Sequence, residues 1–452
     1  MQSVGRPKTI DTGQKSLAGI LNLIRENIAT TRPQIEKETE LGRAVVTDRV
    51  SILTKLGLVE YGELGQASGG RAPRRLQFCV NAGLILVAVL ENSAIGVGLS
   101  NLSGELYAEH HEAIDVSIGP DAMMQRLFTL FDWLIEERGD QLPVWSIGVA
   151  VPSPIRNTEG SSFEIESTSF QALSGWGDFP LVEHICAKYK APVWVRDDVQ
   201  AMTVGEQYSG RDAKTDDLLF VKLGKSVGAG FISNGQLHRG ADGIAGLIGH
   251  AQTDVGGDVV CHCGKNGCLE VLVGSDAIER SGTEAAISGQ SVYLADIMSK
   301  YGVVTVADVG DAARMGDTFS AELLTKCGRM IGENLSRMAN LLNPALIVLG
   351  GHVAQTGDIL LAAVREAVYR QSHPLVTREM QIVRSQMGGS ASLVGVSKIV
   401  VEQLFTDESL RQWVTHGVPR SHPKFLEFLE YAQRIISKPA KLSPPPDTGV
   451  SG

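Results

Sequence analysis

Hydrophobic positions change their period once along the chain, near residue 80. Before that point Leu17, Ile20, Leu21, Ile24 and Ile28 recur at helical spacing and predict a first amphipathic helix of about four turns. Pro33 suits the first turn of a second, short helix, where its missing N–H would be unpaired anyway. A third helix is predicted from Arg43 to Leu56, with Val46, Val50 and Leu53 on one stripe. After Gly57, two strand-like runs, Leu58 to Tyr61 and Arg74 to Phe78, flank a tip rich in glycine (Gly62, Gly65, Gly69, Gly70). Three helices followed by a hairpin predict a winged helix-turn-helix over residues 1–80.

From Gly83 the pattern becomes strands alternating with helices. Gly83 to Leu90 is a continuous apolar run, Ala94 to Leu99 a second strand, and Asn101 to Gly104 a turn leading into a third. A helix over Asp121 to Glu137 precedes a strand over Val144 to Val151. Further strands are expected at Pro192 to Arg196, Leu218 to Leu223, Gly228 to Ser233 and Ala345 to Leu349. That order predicts an α/β body in which helices cover sheets. Residues 406–437 read as a helical extension, whereas residues 438–452 are too rich in Pro, Gly and Ser to order themselves.

Composition narrows the class. With 43 % hydrophobic and 20 % charged residues over 452, the chain can bury a full core and should form two or three compact units. It contains neither an apolar run long enough for a membrane span nor a signal-peptide core, so a cytoplasmic location is expected. The net charge of −10 argues against nucleic acid as a partner only until its distribution is read. Residues 1–80 hold 12 basic and 8 acidic side chains, leaving +4 there and −14 in the remainder. Only the front of the molecule is suited to phosphates.

On the third helix, turning Val46, Val50 and Leu53 inward leaves Arg43, Ala44, Thr47, Asp48 and Ser51 facing out as base readers. Arg43 can donate twice to a guanine, Thr47 offers a hydroxyl and a methyl, and Ala44 can touch a thymine methyl. Arg71, Arg74 and Arg75 in the hairpin are positioned for phosphates or the minor groove.

Six cysteines are too few for a disulfide scaffold, and Cys79, Cys186 and Cys327 are expected to be ordinary buried thiols. The other three crowd together as Cys261, Cys263 and Cys268, with His250 upstream. Three thiolates and one imidazole satisfy tetrahedral zinc and leave no open position, which predicts one structural Zn per chain. His262 lies between two of the cysteines, but an extended loop turns it away, so His250 is the expected fourth ligand.

Around these residues the chain closely resembles the ROK family of bacterial sugar-responsive repressors and sugar kinases. The segment from His250 to Glu270 carries the signature. GVAVPSP (148–154), PVWVRDDVQAMTVGE (192–206), LGKSVGAG (223–230), GIAGLIGH (243–250) and NPALIVLGG (343–351) match elsewhere. The resemblance implies a two-lobed, actin-like ATPase body of sugar-kinase type at 82–405. Its first lobe covers about 82–200, its second about 201–390, and a closing helix about 391–405. It also implies that a sugar or sugar-derivative effector contacts Asp197, Asp198, His250 and Glu270, that a palindromic operator DNA is bound, and that the chain assembles as a homodimer or homotetramer.

Departures from the family pattern argue against enzymatic activity. The family's catalytic base falls on Asp198, but its first phosphate loop is replaced by Val89, Glu91 and Asn92, and its second carries Lys225 and Ser226. A negative Glu91 would repel a nucleotide, so Asp198 is expected to be vestigial and the chain a non-enzymatic regulator of carbohydrate uptake or catabolism genes. Glu91 and Lys225 are expected to pair across the vacated cleft. Leu247 and Arg196 each stand where the family usually has Glu, which suggests an unusual saccharide and leaves open control by a protein partner alone. An active sugar kinase fused to a DNA-binding unit is the remaining alternative. Asp197 and Asp198 also suit the cap of a helix beginning near Val199.

Overall fold

The front of the chain folds around three helices that pack against one another before the first large sheet begins. The computed structural model describes residues 13–64, 74–91, 94–114, 118–138, 142–152, 155, 176, 179–209, 215–253, 255 and 257–437. Helix α1 (Gly13–Arg25) buries Leu17, Ile20, Leu21 and Ile24. Ile28 does not continue that stripe: Asn27 takes φ +57 and ends the helix, leaving Ile28 exposed. Helix α2 (Arg32–Thr39) has Pro33 in its first turn, and Gln34 Oε1 accepts from the Thr31 N–H at 3.0 Å. Glu40, in the left-handed region, turns the chain into α3 (Arg43–Lys55), whose Val46, Val50 and Leu53 are fully buried. Strands β1 (Val59–Leu64) and β2 (Arg74–Phe78) then pair antiparallel, Val59 opposite Phe78. The hairpin tip with Arg71 lies outside the described residues.

The body contains two sheets of the same plan. β3 (Leu84–Leu90) is buried along its whole length, as a continuous apolar run requires, and takes the central position. β4 (Ala94–Ser100) and β5 (Leu106–Ala113) extend from it antiparallel, and β5 alternates in exposure as an outer strand should. Across α4 (Pro120–Arg138), the parallel strand β6 (Val144–Val151) joins the other side of β3. Helix α5 (Leu181–Tyr189) leads to β7 (Val193–Asp197), which runs directly into α6 (Asp198–Gln207). The sheet order is β5-β4-β3-β6-β7.

The second sheet begins with β8 (Leu218–Leu223), β9 (Val227–Ser233) and β10 (Gln236–His238), all antiparallel. Helices α7 (Glu270–Val273), α8 (Ser275–Ser288), α9 (Val292–Tyr301), α10 (Val306–Arg314) and α11 (Thr318–Leu342) follow. Next come β11 (Leu346–Gly350), α12 (Asp358–Gln371), α13 (Pro374–Thr377) and β12 (Gln381–Arg384), with β11 and β12 parallel to β8. The order β10-β9-β8-β11-β12 repeats that of the first sheet. β10 and β12 escaped the sequence reading because they have only three and four residues and are partly exposed.

Helix α14 (Ser390–Leu404) closes the body by returning to the first lobe. It crosses α6 at backbone contact: a Cβ on Gly205 would lie 1.9 Å from the Ala391 carbonyl, and one on Gly395 would lie 1.7 Å from the Ala201 carbonyl. The extension then forms α15 (Asp407–Trp413) and α16 (Pro423–Ile436). Trp413 is fully buried and meets Trp145 of β6 and Phe405 edge-on, at 5.5 and 5.7 Å between ring centroids. Phe405 also meets Phe78 at 5.3 Å, and its carbonyl accepts from Asn22 Nδ2 at 3.0 Å. The cores of the front unit, the first lobe and the extension therefore form one apolar cluster, separate from that of the second lobe.

Because neither helix can retreat without breaking this contact, Gly395→Ala should destabilise the fold by about 1–3 kcal/mol in urea titration. Gly19→Ala, where a Cβ meets nothing within 4 Å, should instead stabilise it by about 0.5–1 kcal/mol.

Candidate functional site

The cysteine knuckle is set by its glycines. Gly264 (φ +85) and Gly267 (φ +69) allow the reversals that bring Cys261, Cys263 and Cys268 to one point, and the Cys261 N–H donates to the Lys265 carbonyl at 2.8 Å. His250 ends a short turn pressed on β9, where a Cβ on Gly249 would lie 2.2 Å from the Val227 carbonyl. The ligand atoms of His250, Cys261, Cys263 and Cys268 all lie within 4.8 Å of one another. Cys261 Sγ is 3.5 Å from His250 Nδ1 and Cys263 Sγ is 3.6 Å from Cys268 Sγ. Tetrahedral zinc with bonds of about 2.3 Å to sulfur needs edges of about 3.8 Å, so the four residues fit such an ion. Burial, with two thiols beside it, pushes the Cys268 thiol up to about 12, an environment in which a cation would stabilise the thiolate.

His262 does not turn away as the extended-loop reading expected. Its Nδ1 lies 3.4 Å from Glu270 Oε1 and 3.9 Å from Cys261 Sγ, and its ring stands 5.1 Å from that of His250. The Glu270 carboxylate draws it over the edge of a neighbouring cavity. Of the other cysteines, Cys186 and Cys327 are buried as expected, while Cys79 is only partly so.

That cavity, of about 500 Å³, is lined by Asp197, Asp198, His250 and Glu270, together with His262 and Leu247. The β7–α6 junction explains the two aspartates. Asp197 caps the helix, accepting from the Gln200 N–H at 3.0 Å, while lining the cavity with Asp198. Capping and lining are thus compatible. Burial and the Asp198 charge push Asp197 up to about 7. Glu270 is held by the Val227 N–H, which donates to its Oε2 at 2.9 Å.

Asp198 is 2 % exposed and accepts a hydrogen bond from Lys222 Nζ. The Lys222 side chain, on β8, is only 11 % exposed. Burial opposes its charge, but Asp198, with Glu91 behind it, outweighs that penalty and holds the ammonium above its ordinary range. Lys222 was missed in the sequence because a lone Lys in an apolar strand signals nothing until its partner across the cleft is known.

A second cavity of about 430 Å³ adjoins the first and contains Glu91, Lys222 and Gly350–Gly351; Pro152, Lys225 and Ser226 line both. The expected Glu91–Lys225 pair is not made. Lys225 Nζ lies 3.8 Å from Asp276 Oδ2 instead, and the cation that feels Glu91 is Lys222. Val89 faces the core at 3 % exposure, and Asn92 lies outside the described residues. Arg196 is not among the residues lining either cavity; it donates to the Val195 carbonyl and is lowered to about 9 by burial and the neighbouring Arg239.

On α3, Arg43, Ala44, Thr47 and Asp48 are exposed and Ser51 is half-buried, while Val46 and Val50 are buried. Asp48 is engaged by Arg49 Nη1 at 2.8 Å. Arg74 and Arg75 are exposed on β2. Arg32, which was not singled out, donates to the Tyr61 hydroxyl at 2.6 Å and extends the basic surface towards β1.

Because folded Asp197 holds its proton more tightly than a free aspartate, it makes stability fall as pH rises from about 4 through the folded value of about 7. Asp197→Asn keeps an N-cap but does not titrate. Its melting temperature should exceed that of the parent most at pH 8 and least at pH 5, in parallel thermal-unfolding scans.

The ROK family model matches residues 93–403. The Bacillus subtilis xylose repressor is 25 % identical over 85 % of this chain and 94 % of its own length. A glucokinase of Halalkalibacterium halodurans is 33 % identical over 51 % of this chain and 69 % of its own. Among solved structures, a ROK family transcriptional regulator, a homologue of the E. coli MLC protein, superposes with a TM-score of 0.72 at 25 % identity, covering 89 % of this chain and 99 % of that one. The doubled sheet plan, the cleft between the lobes and these likenesses agree: the chain belongs to the ROK family, with a winged helix-turn-helix in front of a two-lobed, actin-like ATPase body.

Proposed function

We propose that this chain is a DNA-binding transcriptional repressor of carbohydrate uptake or catabolism genes, which senses a sugar or sugar derivative in its kinase-like cleft and does not phosphorylate it. The observation that carries the reading is the continuity between a DNA-reading front and a sugar-type cavity. Asp197 and Asp198 belong to α6, α6 touches α14 backbone to backbone, and α14 ends at Phe405, against α1 and β2 of the front unit. A ligand that favours one arrangement of the lobes thereby biases the position of the recognition helix. The unit boundaries we propose are 1–80, 82–405 and 406–437, with the first lobe completed by residues 391–405.

The absence of phosphoryl transfer is supported by Lys222. A catalytic base must take a proton from the attacking hydroxyl, and the Lys222 ammonium competes for it at Asp198 Oδ2, while the other carboxylate oxygen can still accept a hydrogen bond from a sugar hydroxyl. Glu91 in the adjoining cavity adds repulsion to nucleotide phosphates. Asp198 then serves, with Asp197 and Glu270, as a hydroxyl acceptor, and His250, ligating the metal through Nδ1, can donate from its other ring nitrogen. Zinc held by His250, Cys261, Cys263 and Cys268 is structural: bound, it clamps the knuckle that frames the cavity.

On DNA, a homodimer or homotetramer presents two copies of α3 to a palindromic operator, with half-sites about one or two helical turns apart. Arg43, Ala44, Thr47, Asp48 and Ser51 are the proposed base-facing residues, and Arg71, Arg74 and Arg75 the proposed backbone or minor-groove contacts. The test is titration of purified chain against selected genomic operator fragments. Arg43→Ala should cost about 1–3 kcal/mol and relax specificity at one base pair. Arg74→Ala should weaken binding uniformly and lower the log–log salt slope by about 1. A salt-independent interaction, or no operator preference, would overturn the reading.

Elemental analysis should find one zinc per chain. Cys268→Ser should lose it, together with ligand-induced DNA release, because His250 and the cavity rim depend on the same knuckle.

A further inference from the structure

The sugar-type cavity has two chemically unlike halves. Its floor is made of acceptors, Asp197, Asp198 and Glu270, each fixed by a backbone or side-chain partner. Its rim carries three apolar side chains, Leu247, Val259 and Val260, which line the same cavity at 45 %, 41 % and 69 % exposure, next to the exposed polar residues Lys225, His262, Asp276 and Arg280. Single exposed apolar residues need no explanation, but three on one cavity, opposite a polar floor, form a surface that water covers poorly.

The rim is held in place by the backbone. Leu247 follows Gly246, whose φ is +107 and whose Cβ would lie 1.7 Å from the Ala229 carbonyl, so this segment is seated on β9. Val259 accepts from the Gly267 N–H at 2.8 Å, and Val260 bridges to Asn266 within the cysteine knuckle. The metal-binding loop therefore presents two valines to the cavity. A free sugar would leave all three side chains wet and would set hydroxyls beside groups that cannot pair with them.

We propose that the ligand is a glycoside, its sugar ring on the floor formed by Asp197, Asp198, His250 and Glu270, and an alkyl or aryl aglycone packed against Leu247, Val259 and Val260. The inference rests on the sugar-sensing reading above and adds the class of ligand. A cavity of about 500 Å³ accommodates a ring with such a substituent, within the range of about 300–1,000 Å³ usual for small-molecule sites. The charged Lys225, Asp276 and Arg280 line the cavity too, and Lys225 faces Asp276 at 3.8 Å, so the aglycone contacts are the three apolar side chains alone.

The test is isothermal titration of the full, zinc-loaded chain with glucose, xylose, galactose and N-acetylglucosamine. The methyl and phenyl β-glycosides and the 6-phosphates of the hexoses are titrated in parallel, and operator release is read on the same samples. For the sugar that binds, the phenyl glycoside should bind about tenfold or more tightly than the free sugar. Leu247→Glu and the surface substitution Val260→Ser should each reduce that ratio towards one. If the free sugar binds as tightly as its glycoside, or the sugar phosphate binds more tightly, the aglycone inference fails and sugar sensing stands. If no compound binds or releases operator, both fail.

Discussion

The contact between α6 and α14 constrains everything that joins the two ends of this molecule. At Gly205 and Gly395 the helices approach until backbone meets backbone, a distance that any side chain would forbid. One of these helices begins with the aspartates of the cavity; the other ends at the aromatic cluster beneath the DNA-reading unit. A contact this close cannot absorb movement by repacking side chains. The proposed signal from cleft to front unit would therefore pass through α14 to Phe405 as a shift of a rigid element.

Electrostatics in the cleft follow from a second close approach. Two aspartates adjacent in sequence, one fully buried, would be costly without a counter-charge, and Lys222 supplies it from the opposite lobe. The pair ties the start of α6 to β8 of the second sheet, against which Val199 and Met202 also pack. Burial first and the Asp198 charge second drive Asp197 towards neutral pH, against a smaller opposing pull from Lys222. Removing Lys222 alone would leave both carboxylates uncompensated.

The cysteine knuckle links metal binding to ligand recognition through geometry alone. His250 lines the cavity and belongs to the four-residue cluster, and Val259 and Val260 precede Cys261 directly. Holding the metal therefore holds both a polar and an apolar wall of the ligand site. A metal held by this cluster would fix both the loop and the neighbouring cavity wall.

Local patterns in the chain determined a good deal. Strand β6 and the inward stripe Val46, Val50 and Leu53 follow from periodicity, and the grouping of His250 with three cysteines follows from ligand chemistry and spacing. Other features were invisible because they are pairings between distant segments. Nothing near Lys222 announces Asp198, nothing near Lys225 points to Asp276 in place of Glu91, and His262 is turned by Glu270 on the following helix. Glycines 205 and 395 look alike in sequence to the exposed-side Gly19, yet only the crossing of two helices makes them irreplaceable. The sequence by itself determined the longer strands and the helices of the front unit and singled out His250 with the three cysteines, because those depend on neighbours along the chain, whereas the short strands β10 and β12 did not show. Tertiary structure alone decided which charges met and which apolar side chains stayed uncovered, because those depend on neighbours across space.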